Sequence, residues 1–263
     1  VLADPLECFR SSAISTWQIL DFLRNNRPKC ISVISSTDKV YGRQAIPYRE
    51  DLPIQPLHPY ETAKASQDFA AQTYGKIYKC PVAITRCGNY FGGYDFNFTR
   101  LIPGVVQSIL QGQAPTIRSN GRFTRDFLHI DEAVDVQLLL AERLSEDPKL
   151  YGEAFNFSYG ERIEVLDIVH RICRLLNSPF VPVVNANSTP EIQHMQLSSE
   201  KASRILNWKP SRSFDHGLAR TVQWYRDYFL KGGGRKGQPL ISGAPRFSME
   251  TDQALSSKSR LPA

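Results

Sequence analysis

Thr37, Asp38 and Lys39 bring a hydroxyl, a carboxyl and an amine to one point of a 263-residue chain. The hydroxyl can hold a ligand oxygen. The carboxyl can act as an acid if its pKa is raised, and the amine as a base if burial or neighbouring positive charge keeps it neutral. Further on, Tyr60 and Lys64 stand four residues apart, which on a helix places both on one face. A tyrosine phenol has an ordinary pKa of about 10, so it serves as a base near neutrality only beside a cation. Lys64 is spaced to supply that cation. A surface tyrosine beside a solvated lysine is the plainer reading of such a pair, and the upstream Ser35-Ser36-Thr37 weighs against it.

These groups need a scaffold. The β-branched run Ile31, Val33 and Ile34, bounded by Pro28 and Ser35-Ser36-Thr37, predicts a strand buried on both faces of a parallel sheet. Thr37, Asp38 and Lys39 then emerge at its carboxyl end, where open α/β sheets bind ligands. A helix is predicted from Glu61 to Lys79, and a second buried strand over residues 81–85 delivers Arg86-Cys87-Gly88-Asn89-Tyr90-Phe91-Gly92-Gly93 to the same crevice at the strand ends. The glycines let backbone approach a ligand, and Asn89 can donate and accept; a glycine-rich turn capped locally by Asn89 is the alternative. At the start of the chain, Asp4 as cap, Pro5 at the first helical position, and Leu6, Phe9, Ile14, Trp17, Leu20 and Leu23 predict a helix with a buried stripe that ends near Asn25-Asn26. Further helices are expected over 100–111, 131–144, 165–176 and 214–230, with strands over 154–157 and 179–184. His170 reads as a solvated helix residue.

With Ser-Thr-Asp before it and Tyr-x-x-x-Lys after it, this stretch resembles the extended short-chain dehydrogenase/reductase superfamily, in its NAD-dependent epimerase/dehydratase family. The S-T-D-K-V-Y-G form is similar to nucleotide-sugar 4,6-dehydratases, and its lysine, together with Tyr48 to Asp51, resembles the CDP-glucose 4,6-dehydratase branch. Asp126-Phe127 after Arg125 instead resembles the broader dehydratase, decarboxylase and epimerase pattern. The closing Lys201-Ala202 and Leu206-Asn207-Trp208-Lys209-Pro210 also match the family, with Asn207 in the usual glycine place at a left-handed helix cap.

The resemblance covers roughly residues 1–230 and implies an α/β fold: a Rossmann-type parallel sheet lacking its first strands, with a smaller α/β substrate-binding lobe. Residues 1–98 and 131–158 are assigned to the Rossmann part, 99–130 and 159–230 to the lobe, and 231–263 to a flexible tail. It implies NAD as cofactor, a nucleotide-diphosphate sugar as substrate and a homodimer. Thr37, Asp38, Lys39, Tyr60 and Lys64 take the catalytic roles, and Ser35, Tyr60, Lys64 and Cys87 the cofactor contacts. Asn89, Arg100, Arg118 and Arg125 contact substrate, since guanidinium forks pair well with diphosphate oxygens. By the same resemblance the reaction removes water from an NDP-hexose to give a 4-keto-6-deoxy sugar. A 4-epimerase or decarboxylase would share Thr37, Tyr60 and Lys64 but needs no elimination pair. A non-catalytic binding module is the third possibility.

The chain does not open with a strand and a G-x-G-x-x-G or G-x-x-G-x-x-G turn to cradle a pyrophosphate; it opens at Val1-Leu2-Ala3-Asp4-Pro5 instead. The expectation is an N-terminally truncated chain whose own affinity for NAD is low. Of the net charge of +6, residues 231–263 supply +4 through six basic and two acidic residues, leaving an ordinary body with no call for nucleic acid. Cys8, Cys30, Cys80, Cys87 and Cys173 are odd in number and lack metal or redox spacing, which points to a reducing, cytoplasmic setting. No metal and no membrane segment are expected, and the sequons at Asn97 and Asn187 read as chance matches.

Overall fold

Side chains with nowhere to go but inward define the centre: Val82, Ala83, Ile84, Thr85, Arg86 and Cys87 are all buried, as a strand covered on both faces requires. The structure, a computed structural model, describes residues 4–185 and 192–232. Residues 186–191, with the Asn187 sequon, and the tail from residue 233 lie outside the described residues.

In chain order the elements are α1 (Pro5–Cys8), α2 (Ser15–Asn26), β1 (Ser32–Ser35), α3 (Pro59–Lys76), β2 (Val82–Cys87), β3 (Asn89–Phe91), α4 (Leu101–Leu110), β4 (Thr116–Ile117), β5 (Thr124–Arg125), β6 (Phe127–His129), α5 (Ile130–Glu146), β7 (Ala154–Phe157), β8 (Ile163–Glu164), α6 (Val165–Leu175), β9 (Val183–Val184), α7 (Glu200–Leu206) and α8 (Phe214–Leu230). A π-helical segment, Phe9–Ile14, joins α1 to α2, a 3-10 turn, Asp38–Tyr41, follows β1, and another, Pro148–Leu150, follows α5. The main sheet has the order β1-β2-β7 and is parallel throughout. β1 is half-buried rather than fully buried, because among the described residues only β2 pairs with it.

Short pairs build the rest: β3 with β6, β4 with β9 and β5 with β8. One apolar cluster gathers α4, α6 and α8 around Val106, Ile168 and Leu218, and a second packs α5, α7 and Trp208 against β2 and β7 through Phe155 and Phe157. Asn207 adopts the left-handed cap conformation at the end of α7.

The opening helix departs from its expected stripe. Ala13, Thr16 and Leu20 face inward, whereas Leu6, Ile14 and Trp17 are exposed. A π-turn carries one residue more than an α-turn, so the Phe9–Ile14 segment rotates every preceding side chain relative to a 3.6-residue repeat.

Candidate functional site

The carboxyl end of β1 carries the first group of reactive side chains. Thr37 is extended and caps the following 3-10 turn with its own side chain, which keeps it buried beside Asp38. Thr37 Oγ1 donates to Asp38 Oδ1 at 3.1 Å, and Lys39 Nζ approaches the same oxygen at 3.4 Å. Asp38 is fully buried, and among the described residues its Oδ2 has no hydrogen-bond partner. Lys39 Nζ also donates to Asn89 Oδ1 at 3.1 Å. The four residues therefore meet where β1, the 3-10 turn and β3 converge.

α3 begins beside this group. His58 and Glu61 form a reciprocal capping box around Pro59, so the helix starts two residues earlier than its sequence predicts. Tyr60 lies in the first turn and Lys64 one turn on. Lys64 Nζ donates to Ser35 O and, at 2.6 Å, to Gln67 Oε1. Burial pushes the Lys64 ammonium below the usual lysine range, and the charge of Asp68 acts in the opposite sense. Gln67 was not foreseen as a partner, although its i+3 spacing from Lys64 on a helix is the signal that reveals it. Gln137 of α5 reaches across to Ser35 Oγ at 3.2 Å and Thr85 Oγ1 at 3.3 Å.

Two expectations change. Arg86 does not face the crevice: its guanidinium grips Asp68 of α3 through two bonds of 2.9 Å and donates to Tyr41 Oη at 2.9 Å, leaving it 3 % exposed. Tyr41 in turn donates to Asn156 Oδ1 of β7 at 2.8 Å. Cys87 packs its side chain in the second apolar cluster, where burial pushes the thiol up to about 12, so this side chain offers no surface to a cofactor.

The arginines are dispersed over the lobe. Arg100 stands exposed at the N-terminal boundary of α4, without a side-chain cap bond, and pairs with Asp95 at 2.9 Å; Arg118 is exposed after β4; half-buried Arg125 of β5 donates to Thr124 O and Gln193 O. Asn89 Nδ2 donates to Asp126 O at 3.2 Å, which turns its amide oxygen toward Lys39.

A parallel sheet with ligand-type side chains at its carboxyl end, flanked by helices and a smaller α/β lobe, defines a Rossmann-type α/β protein. The chain belongs to the GDP-mannose 4,6 dehydratase family, whose model matches residues 1–221. It is 30% identical over 235 residues to dTDP-glucose 4,6-dehydratase 1 of Escherichia coli, a match that covers 81% of this chain and 62% of that protein. Similarity to the human dTDP-D-glucose 4,6-dehydratase is 28% over 203 residues, covering 74% of this chain and 56% of the relative. The chain thus spans about three-fifths of the length of these relatives. Among solved structures, dTDP-glucose 4,6-dehydratase from Bacillus anthracis in complex with NAD superposes with a TM-score of 0.73 at 29% identity, over 83% of this chain and 68% of that one. UDP-glucose 4-epimerase from Thermotoga maritima, at 21% identity and a TM-score of 0.79 over 86% of this chain and 73% of that one, shares the fold.

Proposed function

We propose that the protein is an NAD-dependent nucleotide-sugar 4,6-dehydratase that converts an NDP-hexose to its 4-keto-6-deoxy form. The observation that supports this most is the Asp38–Lys39 pair, held 3.4 Å apart next to Thr37 and a helix that bears Tyr60 and Lys64. A 4-epimerase has no use for a second acid and base beside Thr37. The relatives at 27–30% identity that carry the dehydratase name point the same way.

The residues present suit NAD. Lys64 offers an ammonium and Ser35 a hydroxyl at one strand end, where Ser36 Oγ is buried without a hydrogen-bond partner among the described residues. NAD held there would supply reversible hydride transfer. Tyr60, with Lys64 favouring its phenolate, takes the proton of the sugar 4-hydroxyl while Thr37 hydrogen-bonds the same oxygen. The resulting 4-ketone acidifies the C5 proton, and Asp38 and Lys39 share its removal and the protonation of the departing 6-hydroxyl. Arg118, Arg125 and Arg100 are proposed to receive the diphosphate, with Asn89 at the sugar.

A homodimer and a cytoplasmic setting complete the proposal. α2 and α3 leave Phe22 and Phe69 more than half exposed, at 60% and 53%, and a second copy is the proposed cover. No helix of the described residues is long and apolar enough to cross a membrane. The test of function uses the protein as the cell makes it, with NAD in excess, and CDP-, dTDP-, GDP- and UDP-hexoses in turn. Product mass lower by one water is expected with at least one of them; substrates returned unchanged or merely epimerised would sink the proposal.

A further inference from the structure

Asp126 stands between β5 and β6, fully buried, and takes no part in the chemistry described above. Its carboxylate spreads over two chain segments: Oδ1 accepts from Phe127 N at 2.9 Å and Oδ2 from Leu197 N at 2.8 Å. Its carbonyl oxygen holds Asn89 twice, accepting from the backbone N at 2.9 Å and from Nδ2 at 3.2 Å. Gly88 permits this approach, since a Cβ there would lie 3.0 Å from both the carbonyl carbon and the oxygen of Asp126.

The consequence falls on Lys39. An asparagine amide has a donor end and an acceptor end, and only a bound Nδ2 decides which end faces a neighbour. With Nδ2 taken by Asp126, Oδ1 is left to accept from Lys39 Nζ at 3.1 Å. The reversed amide would set two donors against each other.

We infer that Asp126 is a positioning residue for Lys39, acting through Asn89, whose amide it orients. The carboxylate fixes the peptide, the peptide carbonyl fixes Asn89, and Asn89 fixes the amine that the proposed elimination needs. This role rests on the dehydratase reading for its catalytic consequence but not for its geometry. The groups that face the Asp126 carboxyl are the Leu197 and Phe127 amides, the Ser158 hydroxyl and the carboxylate of Asp38, and burial with the Asp38 charge pushes its pKa up to about 7.

Two measurements test it. The first needs no turnover: hydrogen exchange of the Asn89 side-chain amide, followed by NMR, should be slowed in the wild-type protein and should return to the solvent rate in Asp126→Asn. A solvent-like rate in the wild type overturns the inference. The second measures elimination in the NAD-loaded protein, where Asn89→Ala and Asp126→Asn should each slow it about 10- to 100-fold, the cost of misplacing a reacting group by a fraction of an ångström to one ångström. In a Lys39→Ala background Asp126→Asn should not slow the residual elimination further. Equal losses in both backgrounds would mean a general structural role and overturn the inference. If Asp126→Asn does not fold, the exchange rate of the Asn89 side-chain amide in the wild-type protein decides. A wild type that gives no dehydrated product sinks the dehydratase reading alone, and the exchange measurement still decides this inference.

Discussion

Arg86 and Asp68 face each other through two parallel bonds of 2.9 Å, both side chains nearly or wholly excluded from solvent. The pair ties the central strand β2 to α3, the helix that carries Tyr60 and Lys64. Burial of the guanidinium opposes its charge, and the Asp68 carboxylate more than restores it, so Arg86 stays firmly protonated. Removing one partner leaves the other charge buried and uncompensated. Asp68→Asn should therefore cost about 3–5 kcal/mol of stability, read as a lower urea midpoint at unchanged m-value. A loss below ~1 kcal/mol would show that the pair is dispensable for the fold.

In the proposed reaction Tyr60 and Lys39 belong to successive steps. Tyr60→Phe should lower formation of the 4-ketone by about 100- to 10,000-fold, the usual worth of a positioned general base. Lys39→Ala should leave ketone formation largely intact and stall elimination, so that a 4-keto-hexose retaining its 6-hydroxyl accumulates. Mass spectrometry of quenched single turnovers separates the two. Equal loss of ketone in both variants would place Lys39 in binding or in the first step.

Much of this arrangement is readable in the linear sequence. α8 runs from Phe214 to Leu230 where its apolar spacing predicts, α4 lies between Arg100 and Gln111, and Asn207 takes the left-handed cap. These are local features, set by periodicity and capping. The first helix misleads because a π-turn changes the period in mid-helix, and no residue type announces it. Arg86 misleads because its partner Asp68 lies on another element, and a buried ion pair and a ligand-facing arginine read alike in one dimension. The Lys39–Asn89 contact joins residues fifty positions apart and comes into view only when β3 folds beside the end of β1.

The pH dependence of stability should carry the mark of Asp126. Its folded pKa, pushed up to about 7, exceeds its ordinary value of 3.8, so between those limits the folded state binds more protons than the unfolded one. Stability from this group is then greatest at low pH and falls as pH rises toward about 7, by up to ~4 kcal/mol, with no further change above. Asp126→Asn removes the titration. The difference between wild-type and variant unfolding free energies, measured in urea from pH 4 to 8, should tilt across this window and flatten above it. A difference independent of pH would show that the carboxyl titrates in its ordinary range.

Oligomerisation is open to the same directness. Light scattering should give twice the chain mass, and Phe69→Asp, at the exposed apolar face of α3, should shift it toward one chain mass with little change in unfolding midpoint. An unaltered dimer would place the interface elsewhere, and a wild-type monomer would end the dimer proposal.

The fate of a deuterium label at C4 of the NDP-hexose tests the central claim most directly. A dehydratase moves the hydride of C4 to C6 within one turnover, so the product should have lost one water and carry the deuterium in its C6 methyl group. Deuterium found again at C4, in a sugar that is unchanged or inverted there and retains its 6-hydroxyl, would contradict the account and identify an epimerase.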